Sequence, residues 1–313
     1  MIEIKSMDDY RQLYQKSIDD PHGFWGDVAE TYHWRKKWDR VQSGDFTDVN
    51  MKWFEGGKLN ITENCLDRHL DKNGEKIALI YEPNQPDILK HTMTYRELHA
   101  EVCRFANVLE KLGIKKGDRV CMYMSMIPEL AIAVLACARI GAIHSVVFAG
   151  FSAESLAGRI NDSSCKLLLT NDGAFRGSKH IDLKAIADDA LASCPSIKNV
   201  IVARRSFAQV KMQSGRDHWW HEINKNVSTD HSAVEMDAED PLFILYTSGS
   251  TGKPKGVQHS CGGYMVYAGY SFKNVFQIKD DSVYWCTADI GWITGHSYII
   301  YGPLLCGTTT LMF

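Results

Sequence analysis

Short apolar runs alternate with amphipathic stretches along much of this chain. The runs that we predict as buried strands lie at residues 76–81, 120–124, 143–148, 166–170 and 199–203. The stretches between them are predicted helices at 94–112, 128–138, 152–161 and 181–191; in the first of these, Leu98, Val102, Phe105, Leu109 and Leu112 fall on one helical face. Strands that alternate with helices are typical of a parallel sheet covered on both faces, so we predict an α/β fold.

Several predicted helices carry recognisable end signals. Thr94 and Glu97 have the spacing of a capping box, in which each side chain bonds the backbone N–H of the other residue. Gly113 suits the end of the same helix. Pro128 fits the first turn of the next helix, which Gly141 would end.

The chain outside this alternating part is less regular. Residues 1–75 are rich in aromatic residues, and we predict an N-terminal extension laid over a larger body, with a helix at 66–70. Residues 76–230 are predicted as a first α/β subdomain. The polar residues 204–240, with Trp219 and Trp220 clamped on the body, would lead to a second sheet that starts at Pro241. Residues 231–313 are therefore predicted as the start of a second α/β subdomain, with a helix at 264–272 and strands at 283–287 and 308–313.

Composition narrows the class of protein. The chain has 313 residues, of which 45% are hydrophobic and 23% charged, enough for a large core and a soluble surface. A net charge of -3 gives no electrostatic case for nucleic acid or anionic membrane. Nine cysteines without a Cys-x-x-Cys pair indicate reduced thiols and no zinc site. Without an apolar leader or a run of membrane-spanning length, we expect a soluble cytoplasmic protein.

Residues 246–257 combine glycines, hydroxyl residues and lysines after an apolar run. Glycines allow positive φ, and consecutive N–H groups in such a turn form an anion-binding concavity. The spacing differs from a Walker A loop, and Pro254 after Lys253 prevents a helix from starting there. A flexible Gly/Ser linker is the alternative. We predict a polyphosphate site whose candidate ligands are Thr247, Ser248, Gly249, Ser250, Thr251, Gly252, Lys253 and Lys255.

Two further stretches suggest ligand contacts. Trp292, Ile293 and Thr294 lie between two glycines and could build a small pocket for an acid of two or three carbons, or could pack in an ordinary core. Residues 176–179 place two cations around Gly-Ser and could wrap a phosphate, although such a run is usually solvated surface.

The phosphate loop resembles the signature loop of adenylate-forming enzymes. Nearly the whole chain is similar to the acetyl-CoA synthetases (AMP-forming acetate–CoA ligases) of that family, most strongly at residues 148–152, 171–184, 240–257 and 285–313. The resemblance implies the large N-terminal α/β domain, with stacked βα sheets covered by helices, truncated before the domain ends and without the small C-terminal domain. It implies an incomplete fragment that is inactive alone.

The same resemblance implies substrates and roles. Acetate, ATP and coenzyme A would yield acetyl-CoA, AMP and diphosphate through an acetyl-adenylate, with Mg²⁺ accompanying ATP. Thr247, Lys253 and Lys255 would act catalytically on the phosphates, and Thr294 favours acetate over propionate. Trp292, Ile293 and Thr294 would line the acyl pocket, and the residues that would contact coenzyme A are Arg176, Gly177, Ser178, Lys179, Thr294, Phe148 and Gly150.

Two alternatives remain open, and some properties are not predicted. The chain could come from a propionyl-CoA or other short-chain acyl-CoA synthetase, or from a non-catalytic nucleotide-binding module. Because adenylation of a carboxylate needs no general base, we expect structural roles for His218, His221 and His296. The partners expected are small molecules, and the sequence leaves the oligomeric state open.

Overall fold

A computed structural model describes residues 2–47, 49–85, 88, 90–249 and 252–313. Its strands are β1 (Arg40–Ser43), β2 (Lys52–Glu55), β3 (Lys58–Leu59), β4 (Ile77–Tyr81), β5 (His91–Thr94), β6 (Arg119–Tyr123), β7 (Ile143–Val146), β8 (Leu167–Asn171), β9 (Ala174–Arg176), β10 (Lys179–Ile181), β11 (Asn199–Ala203), β12 (Asp217–Trp219), β13 (Met236–Asp237), β14 (Pro241–Thr247), β15 (Lys255–Ser260), β16 (Val283–Trp285) and β17 (Thr309–Met312).

Its helices are α1 (Met7–Asp19), α2 (Pro21–Ala29), α3 (Ile61–Cys65), α4 (Leu70–Asn73), α5 (Tyr95–Lys111), α6 (Pro128–Ile140), α7 (Ala153–Ser163), α8 (Leu183–Leu191), α9 (Trp220–Ile223), α10 (Cys261–Val275), α11 (Ile293–Gly295) and α12 (Gly302–Leu305). A 3₁₀ turn lies at Asp67–His69 and a π-helix at His296–Tyr301. The sequence predicted one helix at 66–70; the structure instead has α3, the 3₁₀ turn and α4.

A seven-stranded sheet is the centre of the fold. Its strand order is β12-β11-β8-β6-β7-β14-β15, and every neighbouring pair is parallel except the β14–β15 hairpin. The predicted parallel sheet is therefore confirmed. Successive residues of β6 point to opposite faces, as a pleated strand requires. Val120 and Met122 enter the hydrophobic cluster that contains α5 and α6, whereas Cys121 and Tyr123 enter the cluster that contains α7 and α8.

The predicted helix ends are also confirmed. At the start of α5, the Thr94 hydroxyl accepts the Glu97 N–H at 3.1 Å, and the Glu97 carboxylate accepts the Thr94 N–H at 2.8 Å. Pro128 occupies the first turn of α6, and Gly141 ends that helix at a φ of 72°. Both ends follow from local chemistry that the sequence displays directly.

The assignment of strands to sheets differs from the prediction. Pro241 does not start a second sheet, because β14 pairs in parallel with β7 through Phe243 and His144. The second, four-stranded sheet has the order β16-β17-β4-β5 and takes strands from both sides of residue 231. Alternation of strands and helices predicts their direction but not which strands become neighbours. Whether residues 1–75, 76–230 and 231–313 are separate folding units stays a prediction.

Aromatic side chains attach the N-terminal region to the body. Phe24 and Trp25 of α2 pack edge-on against Tyr270 of α10, with ring centroids 5.6 and 5.5 Å apart. Farther along, Trp220 stacks on Phe105 of α5 at 3.9 Å, which confirms the predicted clamp in the irregular region. Within the described ranges, no helix combines the length and the apolar character needed to cross a membrane.

Candidate functional site

The predicted phosphate loop is the turn of the β14–β15 hairpin. Thr247 at the end of β14 pairs with Lys255 at the start of β15. A side chain at Gly249 would place its Cβ 2.1 Å from the Lys253 carbonyl oxygen, so the turn leaves room only for glycine there. Gly252 has a φ of 81° and donates its N–H to the Gly249 carbonyl at 3.1 Å. Two of the predicted ligands, Ser250 and Thr251, lie outside the described residues.

Polar groups of this hairpin are presented to solvent. Thr247 and Ser248 are exposed, as are Lys253 and Lys255. Neither lysine forms an ion pair with any residue that the structure describes. The hairpin therefore carries two positive charges that these residues do not compensate, beside hydroxyl groups and a glycine backbone. This combination can bind a phosphate chain.

The base of the hairpin is fixed to α7. The Tyr246 hydroxyl donates to Asp162 Oδ2 at 2.6 Å, and burial, together with this carboxylate, raises the pKa of Tyr246. The Arg159 guanidinium lies over the rings of Phe151 and Tyr246, 4.6 and 5.5 Å from their centroids. Burial lowers the pKa of Arg159. These contacts hold the strand end, and the described residues Thr247, Ser248 and Lys253 beyond it are exposed.

Residues 289–292 form a tight turn on the opposite side of a shared cavity. The Trp292 N–H donates to the Asp289 carbonyl at 3.0 Å, and the Gly291 N–H donates to Asp289 Oδ1 at 2.7 Å. A Cβ at Gly291 would lie 3.0 Å from the backbone nitrogen of Phe148, and one at Gly295 would lie 2.1 Å from the Asp289 carbonyl oxygen. The turn is thus enclosed between Phe148 and the start of α11.

One cavity connects this turn with the hairpin. It has a volume of about 410 Å³, and its lining includes Tyr246, Phe148, Asp289 and Trp292. Since Tyr246 directly precedes Thr247, the cavity lies between the phosphate loop and the segment predicted to bind the acyl group. After α11 the chain continues as a π-helix, a geometry frequent at functional sites.

Two of the three predicted acyl-pocket residues line different cavities. Trp292 is 60% exposed and lines the cavity beside the hairpin. Ile293 lines a different cavity of about 480 Å³ that also contains Trp25 and His259. Thr294 is half-buried in the next position. Trp292 precedes α11 with extended backbone angles, φ -114° and ψ 148°, whereas Ile293 is the first helical residue, so their side chains leave the backbone in different directions. The shared acyl pocket stays a prediction.

The predicted coenzyme A segment is a hairpin. Arg176 of β9 pairs with Lys179 of β10, and Gly177 between them has a φ of 59°. The sequence predicted a helix from residue 181, but Ile181 ends β10 and α8 begins at Leu183. Arg176, Lys179 and Ser178 are exposed. The hairpin thus places both predicted cations side by side at its tip.

Arg176 also joins two other predicted residues. It lines a cavity of about 220 Å³ together with Phe148 and Gly150. Asp289 and Arg205 line the same cavity, and neither was predicted as a site residue. Phe148 and Asp289 therefore border both this cavity and the one beside the phosphate hairpin.

Asp289 is the main residue that sequence reasoning missed. Burial raises the pKa of its carboxyl group, although the hydrogen bond from Gly291 acts in the opposite direction. A carboxyl group with a raised pKa between two cavities is typical of functional sites. The available signal was a lone acidic residue, two positions before Gly291, in an otherwise mostly apolar stretch. Arg159 carried no such signal, since its role depends on side chains from other elements.

The histidines lie in different parts of the fold, and the described residues form no evident metal site. His296 is fully buried, whereas His218 bonds Asn199 on the other edge of the sheet at 3.0 Å. Among the described residues, no group of three or more His, Cys, Asp or Glu side chains is arranged to hold a metal ion.

Comparison with known proteins identifies the class to which this geometry belongs. A family model described as AMP-binding enzyme matches residues 66–313, so the chain belongs to the AMP-binding enzyme family. A second model, described as the N-terminus of acetyl-coenzyme A synthetase, matches residues 10–65. The resemblance to the N-terminal portion of these enzymes is confirmed.

The similar proteins make the relationship more specific. The acetyl-coenzyme A synthetase of Alkalilimnicola ehrlichii is 54% identical over 307 residues, which are 98% of this chain and 47% of that protein. The acetyl-coenzyme A synthetases of Syntrophobacter fumaroxidans and Escherichia coli K12 are 56% and 53% identical, each covering 97% of this chain. This chain spans about half the length of these relatives, 47% in each case.

A solved structure confirms the predicted fold class. Acetoacetyl-CoA synthetase from Streptomyces lividans superposes with a TM-score of 0.89 at 27% identity. The match covers 97% of this chain and 46% of that structure. The α/β architecture is therefore that of the corresponding part of an acyl-CoA synthetase.

Proposed function

We propose that this chain is part of an AMP-forming acetate–CoA ligase. The reaction would convert acetate, ATP and coenzyme A into acetyl-CoA, AMP and diphosphate through an acetyl-adenylate. One observation carries the proposal: Tyr246, next to the phosphate hairpin, and Trp292, in the predicted acyl segment, line the same cavity. The identity of about 54% with acetyl-coenzyme A synthetases supports it. Because the chain spans 47% of their length, we propose that activity requires the remaining part.

In the first half-reaction the hairpin would bind the β- and γ-phosphates. Lys253 and Lys255 supply positive charge, and the hydroxyls of Thr247 and Ser248 can donate hydrogen bonds. The backbone of Gly249 allows close approach, and Ser250 and Thr251 stay predicted ligands. Charge that is already positioned stabilises the leaving diphosphate without reorganisation. An acetate oxygen attacks the α-phosphorus directly, so neither a protein nucleophile nor a general base is required.

Acyl specificity would come from the segment at the start of α11. We propose that Trp292, Ile293 and Thr294 favour acetate. Propionate differs from acetate by one methylene, and a pocket discriminates such a group by about 1–3 kcal/mol. We therefore expect a preference of about 10- to 200-fold rather than exclusion of propionate.

Coenzyme A would bind along the β9–β10 hairpin and the Phe148 wall. Arg176 can hold a phosphate in bidentate geometry, whereas Lys179 offers a point charge. Gly177 and Ser178 connect these two cations in the hairpin turn. Phe148 and Gly150 share a cavity with Arg176, which supports a common site, and Thr294 is proposed to face it.

The proposal also includes Mg²⁺ as the ion that accompanies ATP and the cytoplasm as the location of the protein. Mg²⁺ is commonly held through substrate phosphates and few protein groups. The described residues provide no cluster of three ligands, so we assign no protein ligand for Mg²⁺ and derive no step from it. All nine cysteines are free thiols, which supports a reducing, cytoplasmic location.

A composite protein tests the proposed function. This chain replaces the matching half of the Alkalilimnicola ehrlichii enzyme, and ATP–pyrophosphate exchange is measured with acetate, propionate or no acid. We expect acid-dependent exchange, faster with acetate. The chain alone should give no exchange above the sample without acid. A folded composite that binds ATP but shows no acid dependence would contradict the proposal and favour a non-catalytic nucleotide-binding module.

A further inference from the structure

Three buried polar side chains form a continuous series behind the turn at 289–292. His296 Nδ1 contacts the Ile290 carbonyl oxygen, and His296 Nε2 lies 3.4 Å from His144 Nδ1. His144 Nε2 in turn lies 2.8 Å from the Tyr301 hydroxyl. All three side chains are fully buried. The rings of His144 and His296 differ in plane by 21° with centroids 5.2 Å apart, consistent with a bond along their edges.

The contacts define a single direction of hydrogen bonding. The Ile290 carbonyl can only accept, so His296 Nδ1 must carry a proton. Burial lowers the pKa of His296 to about 4 and that of His144 well below its ordinary value, so both rings are neutral near pH 7. A neutral ring has one donor and one acceptor. His296 Nε2 therefore accepts from His144 Nδ1, and His144 Nε2 accepts from the Tyr301 hydroxyl.

We propose that the chain of hydrogen bonds from Tyr301 through His144 and His296 to the Ile290 carbonyl positions the 289–292 turn for acetate activation. This role rests on the proposed function. His144, His296 and Tyr301 are positioning residues, because full burial keeps them from touching a substrate. Fixing the Ile290 carbonyl fixes the peptide unit that leads directly into Gly291 and Trp292.

The surroundings connect this chain to the phosphate hairpin. The Phe243 ring packs beside His144 and His296, with centroids 5.4 and 4.7 Å away. Phe243 belongs to β14, whose end is Thr247, and it pairs with His144 across the sheet. The ring of Phe243 therefore packs the buried histidines against the strand that leads to the phosphate hairpin.

The tautomers of the unsubstituted 313-residue chain provide the first test. Histidine labelled with ¹⁵N is observed by long-range ¹H–¹⁵N correlation at pH 7, with signals assigned by single substitutions. We expect His144 and His296 to be neutral and protonated at Nδ1. A ring protonated at Nε2, or a charged imidazolium at either position, would overturn the proposed direction. This measurement requires no catalytic activity.

Amide hydrogen exchange tests the positioning. In Tyr301→Phe the first donor is lost, and we expect exchange at Gly291 and Trp292 to be about tenfold faster, as for the loss of one buried hydrogen bond. Tyr264→Phe is the matched control, since this half-buried tyrosine bonds Ser297 through its hydroxyl at 2.9 Å and its ring packs edge-on against Tyr301. Equal exchange at Gly291 and Trp292 in both variants would overturn the proposal, even with the expected tautomers.

Kinetic measurements on the composite protein distinguish the positioning role of the buried residues from the proposed function of the whole site. Tyr301→Phe should raise the KM for acetate about tenfold and leave the KM for ATP unchanged. An equal rise in both constants would indicate a general structural role and contradict the positioning role. If the unsubstituted composite showed no acid-dependent exchange, the proposed function would be wrong. The histidine tautomers and the amide exchange rates would still test whether the hydrogen-bonded series positions the turn.

Discussion

Lysines occupy two contrasting settings in this protein. Lys184 of α8 is 1% exposed, and its Nζ lies 2.7 Å from Asp188 Oδ2 and 2.9 Å from Asp217 Oδ2. Lys253 and Lys255 of the β14–β15 hairpin are exposed and form no ion pair within the described part of the chain. In the first region the fold itself compensates the charge. In the second the charge remains available, so of these two regions the β14–β15 hairpin is the one suited to bind an anionic ligand.

The largest expected difference between these regions is in stability. Lys184→Met would remove one partner of the buried Asp217 carboxylate, which keeps its ion pair with Arg216. We therefore expect a loss of about 3 kcal/mol, the lower end of the cost of breaking a buried pair. Lys253→Met should change the free energy of unfolding by about 0.5 kcal/mol or less, as expected at an exposed position. Urea denaturation of both variants measures this. Equal costs would contradict the contrast between the two settings.

The affinity for ATP, in contrast to stability, should depend on the lysines of the hairpin. Lys253→Met and Lys255→Met should each weaken ATP binding by about 1.5–3 kcal/mol, roughly 10- to 100-fold, because each removes a charge-assisted contact to phosphate. Lys198→Met is the control, since this exposed lysine bonds the Pro195 carbonyl beside β11, on the far side of the sheet. Calorimetric titration with ATP measures the affinities. A similar loss at Lys198 would show nonspecific charge attraction.

Replacing glycine by alanine should have opposite effects on stability in the hairpin and in α7. Gly249→Ala forces a Cβ to within 2.1 Å of the Lys253 carbonyl oxygen and should destabilise the turn by about 1–3 kcal/mol. In Gly158→Ala the new Cβ meets no atom within 4 Å, and a helical alanine should stabilise the protein by about 0.5–1 kcal/mol. Thermal unfolding with amide exchange at the hairpin compares the two. An unchanged hairpin in Gly249→Ala would mean that the turn does not require glycine.

The smallest expected effect is on the pH dependence of stability and concerns a partly buried network of Asp67, His99 and Arg139. The hydrogen bond to Asp67, assisted by Cys103, raises the pKa of His99 from 6.5 to about 9. Burial acts to raise the pKa of Asp67, but hydrogen bonds from His99 and Arg139 hold it below its ordinary value. Since the folded-state pKa of His99 is raised, its contribution is complete below pH 6.5 and is lost as pH rises through about 9.

We expect about 1 kcal/mol of stability to be lost across this pH range, after allowance for partial solvent screening. His99→Gln should flatten the dependence between pH 6.5 and 9, as measured by urea denaturation at each pH. His218→Gln serves as the control, since its ring bonds Asn199 and forms no ion pair with a carboxylate of the described residues. An unchanged slope in His99→Gln would assign the pH dependence to other groups.

Local chemistry explains which parts of the fold the sequence predicts. The ends of α5 and α6 depend on Thr94, Glu97, Pro128 and Gly141, all visible in the sequence. The place of β14 beside β7 depends on pairing across about a hundred residues, and periodicity carries no information on it.

The candidate site likewise has some features that the sequence predicts and others that it does not. Glycine and lysine in the hairpin indicate anion binding through composition alone. Asp289, Arg159 and the bonds of His144 and His296 arise only when distant elements meet. The divergence of Trp292 and Ile293 depends on where α11 begins, one residue later than Trp292.

The central claim is that the hairpin and the 289–292 turn belong to one substrate site. Titration of the ¹⁵N-labelled 313-residue chain with ATP, followed by amide chemical shifts, tests this directly. We predict that amides of Thr247, Ser248 and Lys253 shift together with those of Gly291 and Trp292 and yield one dissociation constant. Shifts confined to surfaces away from the hairpin, or different constants for the two segments, would contradict the account.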